Sequence, residues 1–295
     1  MAIETKSKIN SLLMNILPGG ILFSEGFKKQ GYSDQLMKQY RKSGWLTSLS
    51  KGVMYRSGDS LSALAALASC QEQTGKQYRV AAHSALELSG YYHFVPMGKP
   101  QLMVASNEPR TPQWAKSDLF DMTIEFFTTS AFGLIQKQAI KQNNYTVQAS
   151  SPELAFMECL LLAPNRYSFM DLYYIMEQLT ALRPAKVQQL LETTNNMTVK
   201  RMFLYMAEKA NYPWYQAIDV GRINIGTSKI QLCKGGVYVS KYKITIPEEL
   251  ADYELTRYTN KRICSEGRSP IASFTFGYGR KGFCCTRGNG NQSFP

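Results

Sequence analysis

The sequence predicts an α+β protein: an N-terminal winged helix-turn-helix, then a larger mixed α/β domain that carries a helical bundle. Three observations predict it. Two short helical stretches flank a glycine turn at 24–43 and lead into two short strands around Ser50-Lys51-Gly52. A strand-bearing stretch, with turn residues at each gap, fills 78–148. Four helical segments with short polar connections follow at 151–209, a spacing that suits a compact antiparallel bundle.

A first helix is expected over 5–17, with Ile9, Leu12, Leu13 and Ile16 on one face and Pro18-Gly19-Gly20 as its stop. Ile21-Leu22-Phe23 reads as a short strand. Ser24 is placed to N-cap a helix running through Gln30, which Gly31 ends. Ser33 caps a second helix, Asp34 to Ser43, which Gly44 ends. In that second helix Leu36, Met37 and Tyr40 recur at helical spacing and face a core, which leaves Gln35, Lys38, Gln39, Arg41 and Lys42 for the other side. Gln and Arg match base edges, and Lys matches phosphate. Trp45–Leu49 and Val53–Arg56 then form a wing with Lys51 at its tip, where it can reach a phosphate backbone. The expected contacts to double-stranded DNA are Ser33, Gln35, Lys38, Gln39, Arg41, Lys42 and Lys51. Any small amphipathic helix carries Lys and Gln outside; the reading rests on helix, turn, helix and wing occurring together.

Gly58-Asp59 closes the wing, and Ser60 is expected to cap an Ala/Leu helix that reaches Gln73 and ends at Gly75. Tyr78–Ala81 introduces a short helix, Ala82 to Leu88, stopped by Gly90. Tyr91–Val95 precedes a turn at Pro96–Pro100. Gln101–Ala105, Met122–Thr128 and Asn144–Gln148 are strand candidates. Ser151-Pro152-Glu153 opens a helix with an N-cap, a proline at the first position and an early acid, and Pro164 ends it. Helices at 168–182, 184–194 and 197–209 complete the bundle. Strands at 229–233 and 237–245 are expected to turn at Gly235-Gly236. Residues 265–295 are rich in Gly, Ser and aromatics and read as part of a flexible tail. The expected domains are a DNA-binding unit at 1–60, a larger domain at 61–262 and a flexible basic tail at 263–295.

The 295 residues carry a formal net charge of +12, which favours an anionic partner. Residues 1–60 hold nine Lys/Arg against four Asp/Glu, and 261–295 hold six against one, so the positive field sits at the two ends. The six cysteines form no C-x-x-C pair and read as reduced thiols. No signal-peptide pattern or membrane-length apolar run is present, so a cytoplasmic location without membrane contact is expected. There are two histidines, and no H-x-x-x-H or H-E-x-x-H, P-loop or G-x-S-x-G motif. The Gly277-Tyr278-Gly279 pair has no strand-to-helix context. His83 reads as a partly buried structural histidine. Glu153 and Glu158 are five apart on one helix, poorly placed to work together, and the helix N-terminus accounts for Glu153. No catalytic residue, metal site or cofactor is therefore expected.

Four stretches, in order, resemble the AbiEi family of antitoxins from type IV toxin–antitoxin systems: RKSGWLTSLSKGVMYR at 41–56, YRVAAHSALELSGYYHFVP at 78–96, SSPELAFMECLL at 150–161 and GGVYVSKYKITIPEEL at 235–250. The resemblance spans roughly residues 1–258 and does not extend into the tail. It implies a winged helix that binds inverted repeats in its own promoter and represses the operon. It also implies a C-terminal domain with antitoxin activity against a nucleotidyltransferase toxin, exerted without a stable complex, in phage defence by abortive infection. Two other readings remain open on the residues alone. One is a winged-helix transcription regulator with a ligand-sensing C-terminal domain; the other is an enzyme, for instance a nuclease, with dispersed carboxylates.

Overall fold

The structure is a computed structural model that describes residues 2–91, 98–128 and 130–253. Helix α1 (Ala2–Asn15) is followed by strand β1 (Leu22–Phe23), helices α2 (Ser24–Lys29) and α3 (Asp34–Lys42), and strands β2 (Leu46–Ser50) and β3 (Val53–Arg56). The strands form one antiparallel sheet in the order β1-β3-β2. Ile9 and Leu12 of α1, Ile16 just after it, Phe27 of α2, Met37 and Tyr40 of α3, and Leu22, Leu46 and Met54 of the sheet share one apolar core. This is the winged helix-turn-helix, with Gly52 at φ +76° in the wing turn, a conformation that strains any residue bearing a side chain. Ser24 does not cap α2 as expected. It is the first helical residue, Phe23 holds the cap position, and the Ser24 N–H donates to the Gly52 carbonyl at 2.8 Å. The wing turn thus satisfies a donor at this helix start.

Helix α4 (Ala63–Thr74) joins this unit to the rest. On one side the Gln73 amide donates to the Ile21 carbonyl at 2.9 Å and accepts from the Phe23 N–H at 2.8 Å. Gly26 of α2 lies so close that a Cβ there would sit 2.9 Å from Gln73 Cβ. Two residues earlier, the Gln71 amide donates to the Tyr78 carbonyl at 2.8 Å and accepts from the Gln148 N–H at 3.0 Å. The expected Ser60 cap is absent because α4 begins only at Ala63, whose N–H donates to Asp121 Oδ1 at 2.7 Å. A carboxylate 58 residues away does the work of a local cap.

Strands β4 (Arg79–Val80), β5 (Gln101–Ser106), β6 (Thr123–Thr128), β7 (Lys137–Gln142) and β8 (Tyr145–Ser150) form a mixed sheet in the order β6-β5-β4-β8-β7, with helix α5 (Ala82–Leu88) after β4. Sequence reading overlooked β7. It is an edge strand of sequence KQAIKQ, and an edge tolerates the lysines that a central strand would not. The segment expected at Tyr91–Val95 and the turn from Pro96 fall largely on 92–97, outside the described residues.

Helices α6 (Pro152–Leu162), α7 (Phe169–Met176), α8 (Pro184–Thr193), α9 (Met197–Ala210) and α10 (Pro213–Gln216) follow. Every residue of α6 from Glu153 to Leu160 is buried, between α5 on one side and α7, α8 and α9. Helix α7 stops short of the expected residue 182. The carbonyls beyond it accept from the Tyr212 hydroxyl, at Glu177, and from Trp214 Nε1, at Leu179, 2.8 Å away.

Strands β9 (Ile230–Gln231), β10 (Val237–Val239) and β11 (Ile244–Ile246) follow in the order β10-β11-β9, and the last described residues, 248–253, are helical. The hairpin expected around Gly235-Gly236 is corrected: β10 pairs antiparallel with β11, and β9 joins β11 in parallel. The buried Arg201 of α9 fixes this arrangement. Its guanidinium donates to the carbonyls of Ile225, Ser228 and Lys243 at 2.7, 2.6 and 3.0 Å. The described residues within 2–251 cluster as one compact unit. The boundary expected at 262 and the tail expected at 263–295 lie outside the described residues.

Candidate nucleic-acid interface

Helix α3 starts where Ser33 Oγ accepts from the Leu36 N–H at 3.2 Å. Arg41 and Lys42 in its last turn complement the negative end of the helix dipole. Met37 and Tyr40 point into the core, 3% and 4% exposed. Gln35, Lys38, Gln39 and Lys42 occupy positions i, i+3, i+4 and i+7, so they stand on one ridge, and all four are exposed. Arg41 is exposed on the flank, and Lys51 is exposed at the turn between β2 and β3. None of Lys38, Arg41, Lys42 and Lys51 enters an ion pair among the described residues. Ser33 is exposed too, with its oxygen already engaged as the helix cap. The Lys28–Asp34 pair, 2.8 Å, ties α2 to α3 across solvent and contributes about 0.2–1 kcal/mol at most. Trp45, expected as the first residue of the wing's first strand, is half exposed and lies between α3 and β2, which begins at the buried Leu46.

Tyr40 packs its ring in the core, but its hydroxyl is buried without a hydrogen-bond partner among the described residues. Burial, and then Tyr32, push that hydroxyl above its ordinary pKa. Tyr40→Phe removes an unsatisfied polar group, so it is expected to leave stability unchanged or raise it by about 1 kcal/mol. Tyr40→Ala opens a cavity and is expected to cost about 3–5 kcal/mol. Urea unfolding followed by circular dichroism checks both; a Phe variant clearly less stable than the parent would mean that the hydroxyl is satisfied.

The large domain uses its carboxylates in packing. Glu158 Oε1 accepts from Arg79 Nη2 at 2.6 Å and from the Ser150 hydroxyl at 3.1 Å, and Oε2 accepts from the Ala82 N–H at 3.0 Å. Burial pushes this carboxyl up, against the pull of Arg79 and the hydrogen bonds. Glu153, also buried, accepts from Arg183 Nε and Nη2, both at 2.8 Å, and from the Arg183 backbone N–H at 3.1 Å. Burial raises its carboxyl, but the hydrogen bonds from the Arg183 side chain, the backbone N–H groups of Glu153 and Arg183 and the Ser151 side chain together outweigh that and leave it below the usual carboxylate range. The helix N-terminus is therefore not the whole account of Glu153. The partly buried His83 meets the Tyr167 hydroxyl through Nδ1 at 2.7 Å, and burial lowers its pKa. A cavity of about 310 Å³ opens beside Glu153 and Arg183, lined also by Ser89, Tyr91 and Gln138. Among the described residues no group of three or more His, Cys, Asp or Glu could hold a metal ion, and no helix is long and apolar enough to cross a membrane.

Residues 5–97 match the family model described as transcriptional regulator, AbiEi antitoxin N-terminal domain. Residues 99–247 match the one described as transcriptional regulator, AbiEi antitoxin, type IV TA system. No curated protein matches the sequence. Among solved structures, the RV2827C protein from Mycobacterium tuberculosis is similar with a TM-score of 0.58 and 14% identity, over 86% of this chain and 95% of that chain. At that identity the likeness concerns the fold alone.

Proposed function

The chain belongs to the AbiEi family of type IV antitoxins and transcriptional regulators, and from that premise we propose that it represses its own operon and counteracts a nucleotidyltransferase toxin without a stable complex. The winged helix, residues 1–60, reads inverted repeats in the promoter. The domain at 61–262 carries the antitoxin action as a cytoplasmic, cofactor-free and non-enzymatic protein, and 263–295 is a basic tail. The observation that carries the reading is the ridge of Gln35, Lys38, Gln39 and Lys42, exposed on a capped helix whose opposite face is core.

The test uses point variants, because removing residues 1–60 would bare the face of α4 on which Gln73 meets Ile21, Phe23 and Gly26. In cells that co-express the neighbouring gene product, the full chain is expected to rescue growth and silence a promoter reporter. The double variant Lys38→Ala/Lys51→Ala should lose silencing and keep rescue. Loss of both in a folded, expressed protein would refute this division of labour. A second reading, a regulator that senses a small ligand, is favoured by the cavity beside Arg183. It requires operator affinity to change with a metabolite and does not require a toxin gene next door.

A further inference from the structure

The outer face of the β10-β11-β9 sheet has no part in the function above. Ile244 and Ile246 of β11 are fully buried, so Thr245 between them points to the opposite face. The register sets Tyr238 of β10 and Gln231 of β9 against Thr245, making one row across the sheet. Tyr238 is 42% exposed in that row. Lys229, two residues before Gln231, holds its ammonium 5.2 Å from the Tyr238 ring centroid. Lys234 is exposed in the approach to β10.

From Val220 to Pro247 the sequence has five Lys/Arg and no Asp or Glu. Arg222 and Lys241 are matched by Glu192 and Glu208, whereas Lys229 and Lys234 enter no ion pair among the described residues. An ordinary solvated face mixes both signs. This one has an exposed ring on its edge strand β10, hydrogen-bonding side chains in the same row and lysines without acidic neighbours in the sequence around it.

We propose that this face binds single-stranded RNA, with a base stacked on Tyr238 and adjacent phosphates held by Lys229 and Lys234. Sheet-borne aromatics accept bases as stacking platforms, and lysines follow the backbone. A duplex keeps its base faces covered, so the ring selects an unpaired strand; the unpaired polynucleotide of a cell is overwhelmingly RNA. Lys229 has a flexible four-carbon stem, and it swings from the ring to a phosphate as the base enters.

The experiment is fluorescence anisotropy of the full chain with a labelled oligouridylate of about twelve nucleotides, across a salt series. Tyr238→Ala should weaken binding about tenfold or more, while Tyr238→Phe, which keeps the ring, should bind like the parent. Lys229→Ala and Lys234→Ala should each flatten the salt slope by about 0.7. The Lys38→Ala/Lys51→Ala protein should bind the oligouridylate unchanged, and the Tyr238 variants should bind the promoter duplex unchanged. That separates failure of this proposal from failure of the operator reading. Absence of oligouridylate binding would overturn it, as would parent-like affinity in Tyr238→Ala, or loss of binding in the winged-helix variant instead. Displacement by polyglutamate as effective as by unlabelled oligouridylate would also overturn it, leaving a general anion surface without base stacking.

Discussion

Glu158→Ala is expected to destabilise the protein by about 3–5 kcal/mol, the cost of leaving a buried arginine without its counter-charge. The side chains of Arg79 and Glu158 are 2% and 0% exposed, so solvent does little to screen the loss. Glu158 also holds backbone. Its Oε2 takes the N–H of Ala82, which sits at φ +48°, a left-handed conformation that is unfavourable for a residue with a Cβ. Ala82 opens α5, and α5 packs on α6, which carries Glu158. One carboxylate therefore pins the end of β4, the start of α5 and the buried central helix together. Replacing both partners by apolar residues, as in Arg79→Met/Glu158→Leu, should recover much of the loss, since the pair is expensive to desolvate and costlier still to break. Urea unfolding of the two single variants and the double variant measures this. A loss under about 1 kcal/mol in Glu158→Ala would mean that water or a shifted side chain replaces the carboxylate.

The winged helix was legible because its signals are local. Ser33 caps α3, Gly44 follows its end, and Leu36, Met37 and Tyr40 repeat at the helical period, so both the element and its exposed ridge follow from about twenty residues of chain. What could not be read depends on partners far along the sequence. The start of α4 is set by Asp121, and the carboxylates of Glu153 and Glu158 by Arg183 and Arg79. Nothing in SSPELAFMECLL says that α6 will be covered on every side, which is what turns its two glutamates into buried anions that need arginines. The strand order at 229–246 failed for a related reason. A Gly-Gly pair signals a turn, but Arg201 gathers three carbonyls, two from the 225–228 loop and one at Lys243, and β9 pairs in parallel. This clamp, which joins the 225–228 loop to Lys243, overrides the local hairpin signal.

The remaining large effect lies on DNA. The exposed ridge of α3 should enter the major groove with Gln35, Lys38, Gln39 and Lys42 toward the bases and phosphates, Arg41 at the flank and Lys51 on the wing. Two classes of variant then behave differently. Gln39→Ala, if that side chain is bidentate to an adenine, removes about 1–3 kcal/mol of discrimination and relaxes specificity at one position. Lys38→Ala and Lys51→Ala each remove a phosphate contact, so they should weaken every duplex alike and lower the salt slope by about one unit. Lys38 and Lys51 lie on different elements of the winged helix, the recognition helix and the wing turn, so their losses should add in the double variant. Neither lysine contributes to the core or to an ion pair among the described residues, so circular dichroism should be unchanged for both. The measurement is binding to the native promoter across a salt series, with unrelated duplex as the comparison. If both lysine variants remain folded and keep parent affinity and slope, the DNA lies against another face of this domain, and the exposed ridge of α3 is only its solvated side.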